Sequence, residues 1–190
     1  GQSGNFVDRE DGKDQSALIL RNVALSQPGS VTVEVSDGAR SRSVTWTVYD
    51  TGPRKAKNVI LFIGDGLSPA HRVAARLLSK GIAEGKSRGK LAIDDMPHMA
   101  LVATAGTDSI ITDSANSASA YATGHKTASA AMGVYADRTA SPFDDPRVET
   151  ITSLAKRRHG MAIGIVTNTE VEDATPAAMV AHTRRRGAYD

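Results

Sequence analysis

The 190-residue sequence has no cysteine, and this absence limits its chemistry. Disulfides, a thiolate nucleophile and cysteine-bound zinc are all excluded, so any metal site must use oxygen and imidazole ligands. An excess of one charge is also lacking, since 23 basic residues face 21 acidic ones and the formal net charge is +2. This balance argues against nucleic acid and against a charged membrane surface as partners.

Long hydrophobic runs are absent as well. No apolar stretch approaches the ~20 residues that cross a bilayer. The sequence opens with the polar residues Gly1-Gln2-Ser3-Gly4 and not with a signal peptide. We therefore expect a soluble protein that has already been processed.

Residues 1–53 have the pattern of β-structure. Residues 1–16 are polar and have no apolar period, so we expect loose or edge structure there. Two alternating runs, 30–35 and 43–49, flank the turn signal Asp37-Gly38 and predict a β-hairpin. Such runs are typical of the last strands of an immunoglobulin-like sandwich. The sequence thus predicts an accessory β-segment at 1–53, the end of an Ig-like domain, and a second domain at 54–190.

From residue 58 the pattern changes to that of an α/β protein. The runs 59–63 and 161–166 are apolar and β-rich, as expected of parallel strands covered on both faces. Between them a helix is predicted to begin at Pro146 and to end before Gly160. The predicted fold class is α/β, with a mainly parallel sheet and flanking helices, preceded by a short antiparallel β-segment.

Two segments place polar side chains where a strand or loop leads into a helix. In Gly64-Asp65-Gly66 the glycines permit a sharp turn and leave the carboxylate free for a divalent cation, although a capping aspartate in a tight turn fits equally. Residues 112–124 form a small-residue helix that ends at Gly124, with Asp113 as N-cap and Ser114 in the first turn. The helix start favours a bound phosphate at Ser114. No adjacent histidine would activate this serine, so a metal would have to do so.

A third segment leads from Asp173 to the run Arg184-Arg185-Arg186. Thr175 as N-cap, Pro176 at the first helical position and Gly187 as the stop describe an ordinary helix with a basic last turn. Alternatively, oxygens of Asp173 or Thr175 belong to a metal site and one arginine grips a phosphate.

The three segments together resemble the alkaline phosphatase family in order and spacing across positions 57–186. The residues that carry the resemblance are Asn58-Val59-Ile60-Leu61-Phe62-Ile63-Gly64-Asp65-Gly66, Thr112-Asp113-Ser114-Ala115, Thr123-Gly124-His125-Lys126-Thr127, Asp173-Ala174-Thr175-Pro176-Ala177-Ala178 and Val180-Ala181-His182. The resemblance implies the N-terminal part of an alkaline phosphatase-like catalytic domain at 54–190. It also implies two zinc ions and one magnesium ion as cofactors, and phosphomonoesters and inorganic phosphate as substrate and product.

The resemblance also implies roles for six residues of these segments. Asp65 resembles the carboxylate that lies between a zinc and the magnesium, Thr175 resembles a magnesium ligand, and Asp173 resembles a residue that contacts the magnesium through water. Ser114 resembles the metal-assisted nucleophile that becomes phosphoserine. Arg186 resembles the phosphate-binding arginine, and Asp113 resembles the residue that orients it. A straight helix would separate Thr175 from Arg186 by about 16 Å along its axis, so the segment must bend or the side chain must reach back. Arg184 and Arg185 remain alternatives.

The resemblance sets further expectations about the whole protein. The remaining zinc ligands belong to the C-terminal half of the family, so residues 1–190 alone are predicted to be inactive and to need that polypeptide as partner. A periplasmic or secreted location is expected, and a homodimer is compatible with it. Alternative interpretations are a sulfatase-like member of the superfamily and a catalytically inactive secreted module.

Overall fold

The computed structural model describes residues 2–10, 13–21, 23–50, 52–53, 56–136 and 141–188. The chain divides into two compact units, Gly1–Phe62 and Ile63–Asp190. The domain boundary predicted after residue 53 falls within the first unit and stays a prediction.

The first unit contains two separate antiparallel hairpins. Strand β1 (Gln2–Glu10) pairs with β2 (Lys13–Arg21), and β3 (Gly29–Ser36) pairs with β4 (Ser41–Val48). Every strand of a two-stranded sheet is an edge. The described part of 1–16 therefore follows the edge alternative of the prediction, and the loose alternative is wrong for it.

The predicted hairpin around Asp37-Gly38 is confirmed. The Asp37 carboxylate accepts the backbone N–H groups of Ala39 and Arg40 at 2.9 and 2.7 Å, and Gly38 takes a positive φ of 91°. The bonds from Arg40 and Ala39 also hold the pKa of Asp37 below its ordinary value. An aspartate and a glycine are favoured at such a turn because one satisfies backbone donors and the other tolerates the left-handed conformation.

The regular secondary structure of the second unit is mainly helical in its described residues. Its helices are α1 (Pro69–Lys80), α2 (Ser114–Thr123), α3 (Ile151–His159) and α4 (Ala174–Ala177), with a 3-10 turn at Ala92–Asp95 and a small hairpin of β5 (Ile82–Ala83) and β6 (Lys86–Ser87). None of the helices in the described part of the chain has the length and apolar character that crossing a membrane requires.

Helix α3 begins later than predicted. It starts at Ile151 and not at Pro146, because the buried Thr150 accepts the Ser153 N–H through its hydroxyl and caps the helix. The residues before it pair elsewhere, as the Val148 N–H donates to the Gly133 carbonyl at 2.8 Å. The predicted end at Gly160 is confirmed, and this glycine takes the left-handed conformation.

The two runs predicted as parallel strands, 59–63 and 161–166, form no β-ladder in the described residues. Most of their side chains are exposed, with Phe62 at 88% and Val166 at 99%. A parallel strand exists only when a neighbouring strand takes up its N–H and C=O groups. The described chain supplies no such neighbour, so the parallel-sheet part of the prediction is not realised in it.

The core of the second unit consists mainly of alanine side chains from the α2 and α4 region. Its buried cluster comprises Ala115, Ala118, Met132, Ala174 and Ala178. Because alanines let helices approach closely, the N-termini of α2 and α4 come together. Gly133 permits the segment that follows α4 to pack closely against it, since a Cβ there would lie 2.5 Å from the Ala181 carbonyl oxygen.

Candidate active site

The start of α2 is fixed by reciprocal hydrogen bonds between Asp113 and Asn116. Asp113 is the N-cap, and its Oδ1 accepts the Asn116 N–H at 3.0 Å, while Asn116 Oδ1 accepts the Asp113 N–H at 3.1 Å. Ser114 is the first helical residue and Gly124 ends the helix in the left-handed conformation, as the sequence predicts. The arrangement leaves Ser114 half-buried at a helix N-terminus.

Helix α4 corrects the prediction for the third segment. Asp173, and not Thr175, is the N-cap, and its Oδ1 accepts the Ala174 N–H at 2.8 Å. Pro176 is the third helical residue, where its missing N–H costs little because first-turn donors have no partner within the helix. The helix ends at Ala177 and does not continue to the arginines.

Arg186 lies against the start of α2. Its Nη1 donates to Ser114 Oγ at 2.7 Å and to Asp113 Oδ2 at 3.4 Å, and its Nη2 donates to Asp173 Oδ1 at 2.7 Å. Its backbone N–H donates to the Ala130 carbonyl at 2.8 Å. One planar guanidinium therefore joins three of the predicted site residues.

The other two arginines of the run take different positions in the described structure. Arg185 is exposed, and the backbone N–H of Arg184 donates to the Pro142 carbonyl at 3.0 Å. The bend that the prediction required is present, because Thr183 pairs with Met132 in an antiparallel bridge. This bridge brings the chain back towards α2.

Asp65 lies within a β-turn closed by the bond from the Leu67 N–H to the Gly64 carbonyl at 3.2 Å. Gly66 has a positive φ of 66°, which confirms the predicted need for glycine in a sharp turn. The exposed Asp65 accepts the Thr175 hydroxyl through Oδ2 at 2.8 Å. Asp65 thus contacts Thr175, which lies two residues after Asp173, the residue whose carboxylate holds Arg186.

The oxygen atoms of Asp65 and Thr175 are of the kind that hard divalent cations bind. In the described residues no group of three or more histidine or acidic side chains is arranged to hold a metal ion. The donor set therefore fits part of a coordination shell and does not complete one. Three carboxylates, those of Asp65, Asp113 and Asp173, accompany the single guanidinium of Arg186, so the site has an excess of negative charge.

Two residues of this neighbourhood were not identified from the sequence. Asn116 is 3% exposed and forms the second half of the cap. Ala130 donates its N–H to Asp113 Oδ1 at 3.3 Å and has a positive φ of 66°, unusual for a residue with a Cβ. The spacing of Asp113 and Asn116 is that of a capping box and could have indicated the first. No local signal indicates the second.

Comparisons with known proteins agree with the resemblance. The sequence model of the family described as Alkaline phosphatase matches residues 56–190. An alkaline phosphatase of Escherichia fergusonii is 40% identical over 184 residues, which is 92% of this chain and 36% of that protein. The alkaline phosphatase of Escherichia coli K12 is 41% identical, with 72% and 28% covered, and the tissue-nonspecific isozyme of Gallus gallus is 37% identical, with 70% and 26% covered.

A similar solved structure is the cold-active alkaline phosphatase of a psychrophilic Shewanella species, an α/β protein. It has a TM-score of 0.55 and 30% sequence identity, over 66% of this chain and 29% of that one. The chain spans about a quarter to a third of the length of the relatives it matches. With a family match over more than half of its residues, this chain belongs to the alkaline phosphatase family.

Proposed function

We propose that this chain carries the nucleophile and the phosphate-binding arginine of a phosphomonoesterase, with Ser114 as nucleophile and Arg186 as the phosphate ligand. One observation carries the proposal. Arg186 Nη1 lies 2.7 Å from Ser114 Oγ, although 72 residues separate them, and carboxylates hold the guanidinium on two sides. A guanidinium at a hydroxyl on a helix N-terminus is suited to an oxyanion that bonds to both.

The residues of the chain act on the phosphate in a defined order. Arg186 binds two non-bridging oxygens of the phosphomonoester while Asp113 and Asp173 hold its fork in place. Ser114 Oγ loses its proton and forms a P–O bond as the bond from phosphorus to the alcohol oxygen breaks, and the alcohol leaves with a proton. Water then attacks the phosphoserine, which regenerates Ser114 and releases inorganic phosphate.

The excess of carboxylates supports a requirement for divalent cations. A phosphomonoester dianion adds negative charge to a site that already has three carboxylates and one guanidinium. Asp65 and Thr175 would hold magnesium through oxygen atoms, with Asp173 nearby, and Asp65 and Ser114 would contribute to two zinc sites. When bound, these ions supply the positive charge that lowers the pKa of the Ser114 hydroxyl and stabilises the leaving oxygen.

We further propose that additional polypeptide completes the site. Catalytic zinc usually needs three protein ligands, and the described residues do not group that many. The same polypeptide would supply strands beside the exposed runs 59–63 and 161–166 and so form the parallel sheet. Residues 1–190 purified under denaturing conditions and refolded are expected to bind zinc weakly and to lack phosphomonoesterase activity. Activity of that material that Ser114→Ala abolishes would contradict this part of the proposal.

The test of the nucleophile compares two serines of α2 in the protein that includes this chain, assayed with zinc and magnesium. Ser114→Ala should lower phosphomonoester turnover by orders of magnitude, since it removes the attacking oxygen. Ser117→Ala is the matched control, because it makes the same chemical change one turn later at a similar exposure. Both variants should remain folded, since such a loss costs about 1 kcal/mol. Full turnover in Ser114→Ala would refute the assignment.

A further inference from the structure

Asn116 is tied to Asp113 by its side chain in one direction and by its backbone in the other. Its Oδ1 accepts the Asp113 N–H at 3.1 Å and also the Thr112 hydroxyl, and the backbone N–H of Asn116 donates to Asp113 Oδ1 at 3.0 Å. Asp113 Oδ1 also accepts the Ala130 N–H, so this oxygen accepts two hydrogen bonds. Asp113 is thereby held in one rotamer that leaves Oδ2 for Arg186.

The other end of the Asn116 side chain has no such role. Its Nδ2 is buried and, in the described residues, has no hydrogen-bond partner. The orientation of the amide is nevertheless determined, because the Asp113 N–H and the Thr112 hydroxyl require an acceptor. Gly106 lies against it, and a Cβ at that glycine would be 2.5 Å from Nδ2. An unpaired buried donor is unfavourable, so the contribution of this side chain is its acceptor oxygen.

We propose that Asn116 is a positioning residue for phosphate, which acts through Asp113 on the guanidinium of Arg186; this inference rests on the proposed function. The chain of contacts is short. The Asn116 side chain fixes the backbone of Asp113, the Asp113 carboxylate holds Nη1 of Arg186, and Nη1 faces Ser114 Oγ. Without the amide oxygen the Asp113 N–H loses its partner. The backbone that carries the Asp113 carboxylate is then held less firmly, and the guanidinium of Arg186 is less well ordered before phosphate binds.

The experiment measures phosphate binding and one backbone amide in the metal-loaded protein. Asn116→Ala should raise both the inhibition constant of inorganic phosphate and the KM for a phosphomonoester about tenfold, with a smaller change in kcat. It should also speed hydrogen exchange at the Asp113 N–H. Asn116→Gln keeps a neutral amide acceptor, which a capping box also accepts at this position, and should remain within about threefold of the wild type.

Two controls separate positioning from stability. Ser119→Ala removes another buried polar group of α2, whose Oγ accepts the Gly133 N–H at 3.0 Å, and should lower Tm without changing phosphate inhibition. In an Asp113→Ala background, Asn116→Ala should not change the inhibition constant of inorganic phosphate further, because the carboxylate through which Asn116 acts is absent.

The inference is overturned if Asn116→Ala speeds exchange at Asp113 but leaves phosphate inhibition unchanged. It is also overturned if the effect persists in the Asp113→Ala background. If Asn116→Ala does not fold, a tenfold effect in a folded Asn116→Gln contradicts the inference and wild-type behaviour supports it. A wild type without phosphomonoesterase activity would refute the proposed function, and calorimetric titration with inorganic phosphate would still test Asn116.

Discussion

Replacing Arg186 by alanine should weaken phosphate binding strongly. In the structure its guanidinium bridges Ser114 Oγ, Asp113 and Asp173, so Nη1 faces the proposed nucleophile while Asp173 holds Nη2. Arg186→Ala removes both donors and leaves two carboxylates facing the phosphate. The inhibition constant for inorganic phosphate and the KM for a phosphomonoester should both rise.

The size of the effect follows from the bonds and their exposure. A hydrogen bond to a charged group contributes about 1.5–3 kcal/mol. The Arg186 side chain is 35% exposed, so solvent screening reduces the contribution of its two bonds. A total of about 2–3 kcal/mol corresponds to a weakening of about 30- to 150-fold. Arg186→Lys keeps the charge but loses the fork and should weaken binding by about tenfold.

The assay is phosphate inhibition of phosphomonoester turnover, with Arg185→Ala as the matched control. Arg185 is exposed, and its replacement should change the inhibition constant by less than about twofold. Arg184→Ala should likewise have little effect. A larger effect from Arg184 or Arg185 than from Arg186 would show that the arginine has been assigned to the wrong position.

Two further predictions concern stability. Ala130→Gly should raise the free energy of unfolding by about 1 kcal/mol, because glycine takes a φ of 66° without strain. The control Ala128→Gly should lower the free energy of unfolding. Thermal unfolding of the two variants tests both expectations. At Asp94, hydrogen bonds from Arg76, the Leu91 N–H and Arg72 hold the pKa of the carboxyl below its ordinary value of 3.8. The stabilisation that Asp94 contributes is therefore complete above pH 3.8 and is lost as the pH falls through the lower pKa of the folded protein. The Tm difference between wild type and Asp94→Asn should therefore be constant near neutral pH and shrink below about pH 4, and a difference that grows on acidification would contradict the reasoning.

The parts of the structure that follow from local signals could be predicted from sequence. The α2 helix from Ser114 to Thr123 has a cap at each end, and the β3–β4 hairpin has its turn at Asp37-Gly38. Each signal acts within about four residues, so the rest of the chain does not alter it. The Gly64-Asp65-Gly66 turn belongs to the same class, and its glycine conformation is as expected.

Predictions that depended on distant residues were less accurate. Nothing near Pro146 indicates that Val148 pairs with Gly133, and this pairing delays the start of α3 to Ile151. In α4, Asp173 and Thr175 are both good N-cap residues, and the contact of Thr175 with Asp65 uses the hydroxyl that a cap would need. A tertiary contact therefore selects between two locally acceptable caps.

The position of Arg186 depends both on local sequence signals and on contacts with distant residues. The run of three arginines identifies the residue type, and the separation of about 16 Å on a straight helix is what makes the choice among them ambiguous. The structure removes the ambiguity by ending α4 at Ala177 and pairing Thr183 with Met132, so that the Arg186 N–H reaches the Ala130 carbonyl. Since Ala130 also donates to Asp113, one strained residue connects the arginine backbone to the carboxylate that orients its side chain. The geometry of the site is thus determined by the turn at Ala130 as much as by the residues that would contact phosphate.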